Sequence, residues 1–427
     1  MNIRRIVIVT ILLLSAVTVL SGQEKGKTGW SIGGIPAVSY DSDTGFLYGA
    51  IINAYDYADG SYYPDYKKSI YMEWSRTTKG SGRNVLFMDL KDLFNKGYRA
   101  TIDISYLTEM ALDFYGFNGY ETKFNADYID DSETNSDYIT RVYYKHDRKL
   151  LRTTMDIQNQ LPMAHSRWFA GVGSYNIDVG PVDVDALNEG NQDTLPVGVE
   201  TLFDSYVNQG VISSDESDGG RVNFFKAGLI YDTRDNEPNP MRGMWTEGLI
   251  LVASAETGSY SQLVITHRQY FTLKDPDLSF AVRVGYQGKL SGDIPFYMLP
   301  FVHSSYKTTD GWGGSKTLRG VLRNRVVGNS VFYGNGEIRW KFKRFALANQ
   351  NFYLALNAFV DGGEVVQPYD LPESYTPSAS NDSFHLGYGG GFRIAMNENF
   401  IIAIDKGWPG DPQDGTGGLY IGLGYLF

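Results

Sequence analysis

The stretch GEIRWKF, residues 336–342, alternates without a break: Ile338, Trp340 and Phe342 fall on one side, Glu337, Arg339 and Lys341 on the other. A period of two belongs to an extended strand, whose successive side chains leave opposite faces. Large apolar residues backed by charges suit a sheet that is greasy on one face and wet on the other. A soluble sandwich and a membrane barrel both fit that description, so the remainder of the chain has to choose.

The pattern recurs. In NFYLALNAFVD (351–361), Phe352, Leu354, Leu356, Ala358 and Val360 oppose Tyr353, Asn357 and Asp361. In GLYIGLGYLF (418–427), Leu419, Ile421, Leu423, Tyr425 and Phe427 share a face, with Gly422 and Gly424 behind. The chain holds 31 Tyr, 23 Phe and 48 Gly but no Cys, so no disulfide stabilises it. It opens MNIRRIVIVTILLLSAVTVLSGQE, where Arg4 and Arg5 precede an apolar run to Leu20, with Val19 and Ser21 offering a small-residue cleavage site. That predicts a secretory leader over 1–22, with a single barrel domain over 23–427. Export, abundant Tyr and Gly and period-two segments point to a transmembrane β-barrel, in which only alternate residues meet lipid.

Counting strands sharpens the expectation. They read near 30–41, 45–57, 68–79, 83–94, 98–108, 138–161, 167–180, 221–233, 242–255, 260–273, 278–290, 329–343, 351–361, 383–396, 398–405 and 418–427. The sixth entry leaves open a hairpin turning at HDRK (146–149). Sixteen strands put every long connection (109–137, 181–220, 291–328, 362–382, 406–417) after an odd strand, as short periplasmic turns and long outer loops require. The 58–67 connection is long for an inner turn. A short helix is expected within 199–213, and the acidic run DYIDDSETNSD (127–137) reads as a solvated outer loop without calcium-ligand spacing.

Within GGSKTLRGVLRNR (313–325), Arg319 sits in the loop between strands eleven and twelve. If that loop folds into the lumen, its guanidinium fork can hold Glu337 and Asp361 at once. Spacing alone leaves a solvated surface arginine as the commoner case. In DTRD (232–235), Asp232 and Arg234 share a face and read as a structural ion pair at a strand end. The first strand carries Gly33, Gly34 and Pro36, and it is expected to close against the last strand with Gly422 and Gly424. Glycine and proline weaken a ladder, so that seam should be the weakest joint, or simply a bend.

Some functions are disfavoured. The net charge of −11 argues against nucleic acid. There is no G-x-S-x-G and no H-E-x-x-H, and the histidines at 146, 165, 267, 303 and 385 have no motif spacing. No enzyme, metal or cofactor is expected, although a triad assembled from distant strands leaves no trace in sequence.

LRG at 318–320, YDTRDNEPNPMRG at 231–243, GEIRWKF, FVDGG at 359–363, GYGGGFRI at 387–394 and the terminal YIGLGYLF come in an order that resembles the bacterial surface antigen superfamily of outer-membrane barrels, the BamA/TamA/FhaC type. The resemblance implies a sixteen-stranded barrel with loop 291–328 folded into the lumen, and an arginine latch made by Leu318, Arg319 and Gly320 on Glu337 and Asp361. Val321 stands where the family has an aromatic, which predicts looser loop packing. The resemblance further implies a seam that opens sideways and Phe427 as a C-terminal assembly signal; as a departure from the family, a variant without POTRA domains is expected, since little chain lies between Gln23 and the first strand near Trp30. The function so implied is insertion or translocation of proteins, or of lipids, at the outer membrane of a Gram-negative-type bacterium. Partners would be outer-membrane lipids, unfolded outer-membrane proteins or a separate periplasmic protein. A passive pore or structural barrel is the alternative.

Overall fold

A computed structural model describes residues 26–41, 44–379 and 382–427. The expected leader lies outside the described residues. Sixteen strands form one antiparallel sheet in sequence order. The first eight are β1 (Trp30–Asp41), β2 (Gly45–Asp56), β3 (Lys68–Thr77), β4 (Gly82–Leu93), β5 (Tyr98–Asp113), β6 (Lys145–Gln160), β7 (Ser166–Gly180) and β8 (Gly219–Asp232). The second eight are β9 (Gly243–Ala255), β10 (Gly258–Lys274), β11 (Leu278–Ser291), β12 (Ser330–Leu347), β13 (Gln350–Gln367), β14 (His385–Met396), β15 (Phe400–Pro409) and β16 (Gly418–Leu423).

The sheet curls into a barrel wall that is apolar outside and charged inside. Ile104, Phe225, Ile250, Trp340 and Leu356 are exposed on the outer face, while Asp103, Arg152, Asp156, Lys226 and Glu247 are buried inward. This inversion of a soluble core matches a wall that faces hydrocarbon. Residues 138–161 hold one strand, β6, which begins only at Lys145, so HDRK does not turn. The segment before it leaves the wall, because Val142 and Tyr144 are buried among the outer loops.

The long loops 114–144, 181–218 and 292–329, with residues 368–379, roof the outer mouth with an aromatic cluster that includes Phe114, Phe117, Phe203, Tyr206, Phe296 and Tyr369. The helix expected within 199–213 spans Leu202–Asn208 and starts with a capping box between Thr201 and Asp204.

Loop 292–329 plunges into the lumen. A short hairpin, Phe301–Val302 paired with Thr309–Asp310, is held by Gln287 to the Phe301 carbonyl (2.7 Å), Gln158 to the Ser305 carbonyl (2.9 Å) and the Ser305 N–H to Glu247 (2.8 Å). Tyr306 near its tip packs on Phe87 and lies under Arg99 (5.0 Å). From the opposite mouth, loop 57–67 brings Tyr66 onto Asp89 (2.7 Å), and loop 233–242 brings Glu237 onto Arg99 (2.9 Å). The lumen is therefore stoppered from both sides.

The sheet has two free ends. Among the described residues, β1 and β16 are not hydrogen-bonded to each other. The expectation that the last strand runs to 427, with Tyr425 and Phe427 on the face of Leu419, Ile421 and Leu423, is corrected. Gly424 takes φ +83°, a left-handed turn open to glycine without a steric penalty, and its N–H bonds the Ile401 carbonyl (2.8 Å). Beyond it the chain leaves the ladder and enters the lumen. There Tyr425 lies 4.3 Å from the Arg339 guanidinium, and Phe427 lies 5.1 Å from both Arg339 and Arg283. Guanidinium planes offer those aromatic faces a partner that lipid does not.

Candidate functional site

The site has two parts, a charged latch inside the wall and the seam beside it. β12, β13 and β15 each aim one carboxylate inward because strand alternation puts the flanking apolar residues outside. Arg319, on the plug loop, meets all three. Its Nε and backbone N–H donate to Asp361 Oδ2 (2.8 and 3.0 Å), and Nη2 donates to Asp361 Oδ1 (3.2 Å) and Glu337 Oε2 (3.0 Å). Nη1 donates to Asp405 Oδ2 (3.3 Å). The guanidinium also lies 3.5 Å from the centre of the Phe359 ring. Burial alone would push its pKa down, and the Glu337 and Asp361 carboxylates outweigh that and raise it, so the latch stays charged.

Two more arginines complete the set. Arg393 grips Asp405 bidentately (2.8 Å twice), and Arg339 Nε reaches Glu337 Oε1 (3.2 Å). Three guanidinium groups thus face three carboxylates, and the buried set is neutral. Arg339 also donates to the Phe427 carbonyl (2.8 Å), which ties the inward tail to the same network. Asp405, Arg339 and Arg393 were not singled out from sequence. Their alternation signals the lumen face, but nothing in it gives their height along the barrel.

Gly320 is required by close approach. Its φ is +99°, and an added Cβ would stand 2.4 Å from the Trp408 carbonyl oxygen. The wall beneath is also cut away, since a Cβ on Gly387 would stand 2.0 Å from the Arg319 carbonyl oxygen. The Gly320 N–H donates to the Tyr420 hydroxyl (3.0 Å), so the loop motif touches the last strand directly. Leu318 is fully buried with Trp312, Val326, Val331 and Tyr333. Val321, where looser packing is expected from its small side chain, is buried in the same cluster, in which Trp312 and Tyr333 pack edge to face.

The other pair stands apart from the latch. Arg234 holds Asp232 bidentately (2.9 and 2.8 Å) at the end of β8, with Trp245 beneath at 5.9 Å.

At the seam, Gly33 lies against the Phe400 ring of β15, where an added Cβ would come within 2.6 Å. Gly34 and Pro36 pair with Ile52 and Ala50 of β2, and Gly422 pairs with Ala403 of β15. None of them pairs across the seam among the described residues. The two ends of the sheet are joined instead by side chains at the inner mouth. Asn397 donates to Ser31 Oγ (3.2 Å), Tyr55 to the Asn399 carbonyl (3.0 Å) and Tyr57 to the Asn397 carbonyl (3.3 Å). Tyr55, Tyr57, Tyr66 and Phe400 pack around these bonds.

Comparison with protein families decides the lineage. The model described as the Omp85 superfamily domain matches residues 69–427. The chain belongs to the Omp85 superfamily. It is an outer-membrane β-barrel of that superfamily, and the resemblance read from the LRG, FVDGG and terminal motifs is borne out. CdiB from Escherichia coli aligns with 92% of this chain and 61% of its own, at 10% identity and a TM-score of 0.52. BamA from Haemophilus ducreyi lacking POTRA domains 1–3 aligns over 92% and 70%, at 14% identity and a TM-score of 0.49. At 10% identity the CdiB likeness speaks for the fold alone. No curated protein matches the chain.

Proposed function

We propose that this Omp85 barrel assists the insertion or translocation of proteins, or of lipids, at the outer membrane by opening the seam between its first and last strands, without a chemical step. The observation that carries the reading is the missing ladder between β1 and β16. An unpaired strand edge is a template for an incoming strand, because its N–H and C=O groups have no partner in lipid. The inward tail leaves that edge free, and the Arg319 latch would hold the plug in place while the seam moves. Unfolded outer-membrane proteins, membrane lipids and a separate periplasmic protein are the partners this mechanism calls for. A passive pore fits less well, because the lumen is filled from both mouths.

The test uses liposomes carrying the protein and a urea-unfolded outer-membrane barrel added from outside. Cysteines replacing Ser31 of β1 and Asn397 of the β14–β15 turn, whose side chains already bond between the two ends of the sheet, give a lock in a chain that has no other cysteine. The wild type should speed insertion over empty liposomes, the oxidised lock should abolish the gain, and reduction should restore it. Insertion at the rate of empty liposomes, or a gain that survives the lock, would overturn the reading.

A further inference from the structure

The outer mouth holds a second buried charge cluster, which the seam does not use. His385, the first residue of β14, is completely buried. Its Nδ1 lies 2.6 Å from Asp414 Oδ1 and its Nε2 lies 3.0 Å from Asp382 Oδ1. Tyr120 stacks on the imidazole at 3.9 Å, donates its hydroxyl to Asp414 Oδ2 (2.6 Å) and its backbone N–H to Asp382 Oδ1 (2.9 Å). Asp382 Oδ2 accepts the Val365 N–H (2.9 Å). Arg325 brings Nε within 3.7 Å of Asp414 Oδ1 and donates to the carbonyls of Gly119 (2.8 Å) and Gln413 (3.1 Å). Asp411 acts on Tyr120 and Tyr115 acts on Arg325 from just outside the cluster.

Each partner comes from a different outer loop: Tyr120 from 114–144, Arg325 from 292–329, Asp382 from 368–384 and Asp414 from 410–417. The imidazole thus bridges three loops directly, and Arg325 adds the fourth through Asp414. A neutral imidazole donates from one nitrogen and presents a lone pair at the other, and a carboxylate can only accept. Two carboxylates on opposite edges are both satisfied only by the imidazolium. With both protons present, His385 and Arg325 balance Asp382 and Asp414. Without the second proton, a net negative charge is left in a site closed to water, with lone pair facing lone pair.

We propose that protonated His385 is the lock of an extracellular lid, holding four outer loops closed over the plugged lumen and releasing them when the proton is lost. The lock is present at low pH and weakens as pH rises through the histidine's titration. Its acid limit lies lower. Burial would raise the Asp382 carboxyl, but the hydrogen bond and charge of His385 hold it below the ordinary carboxylate range, so it stays ionised until strongly acid pH.

Limited proteolysis of the folded, vesicle-embedded protein between pH 6 and 9 tests this, with cutting normalised to an unfolded substrate at each pH. Cleavage within 114–144 and 368–384 should accelerate about tenfold across the histidine's titration, as loss of one charged hydrogen bond implies, while the strands stay protected. His385→Gln donates to one carboxylate only, so it should be cut at the fast rate at both ends of the range. A flat wild-type profile overturns the proposal whatever the variant does. A variant that keeps the wild-type pH step also overturns it, by moving the titrating group elsewhere. If His385→Gln does not fold, the wild-type profile alone decides.

Discussion

The β11–β15 wall and the β1/β16 edge are built from the same alternating strands, yet opposite means hold them. β12 and β13 run 18 residues each and pair along almost their whole length. Behind them Arg319, Arg339 and Arg393 meet Glu337, Asp361 and Asp405 in a buried, neutral set. β16 has 6 residues, pairs on one side only, and leaves the sheet at Gly424. Across the seam, the β1 end of the sheet is tied to the β14–β15 turn rather than to β16, through a few tyrosine and asparagine side chains. The difference teaches that the barrel concentrates its order in one wall. A plug held on that wall by several guanidinium–carboxylate contacts meets β16 through the Tyr420 hydroxyl, so the latch can hold while the seam changes partners.

Substitutions can break that comparison. The largest effect is expected at Arg319→Ala, which leaves Asp361 with no guanidinium partner and the buried set one positive charge short, and should cost about 3–5 kcal/mol in urea unfolding of the folded barrel. Arg319→Lys should recover only part of this, because a point charge cannot serve three acceptors. Gly320→Ala comes next: it combines φ +99° with a clash on the Trp408 carbonyl, and about 1–3 kcal/mol of strain should appear in the same measurement. Tyr57→Phe removes one seam hydroxyl and should cost only about 0.5–1.5 kcal/mol. A Tyr57→Phe barrel destabilised as much as Arg319→Ala would mean that the seam is no weaker than the wall.

Much of this was legible in the sequence, for physical reasons. Period-two alternation fixes which residues of GEIRWKF and NFYLALNAFVD face inward, and loop-length parity fixes the strand count. Alternation marked Glu337 and Asp361 as inward carboxylates, but it took the family resemblance to match Arg319 to them, because spacing alone does not say that its loop enters the lumen. Asp405 could not, since it alternates like any lumen residue and its meeting with Arg319 depends on barrel shear. The tail misled because alternation continues smoothly through Tyr425 and Phe427 while a single glycine dihedral turns both inward. His385 looked like one of five scattered histidines because its two carboxylates arrive on separate loops.

The most direct measurement is hydrogen exchange of the folded barrel in vesicles, compared strand by strand. Amides of β1 and β16 should exchange well before those of β12 and β13, and the oxidised Ser31/Asn397 cysteine lock should slow the first pair without changing the second. Equal protection of all four strands, or exchange that begins in β12 and β13, would contradict the account.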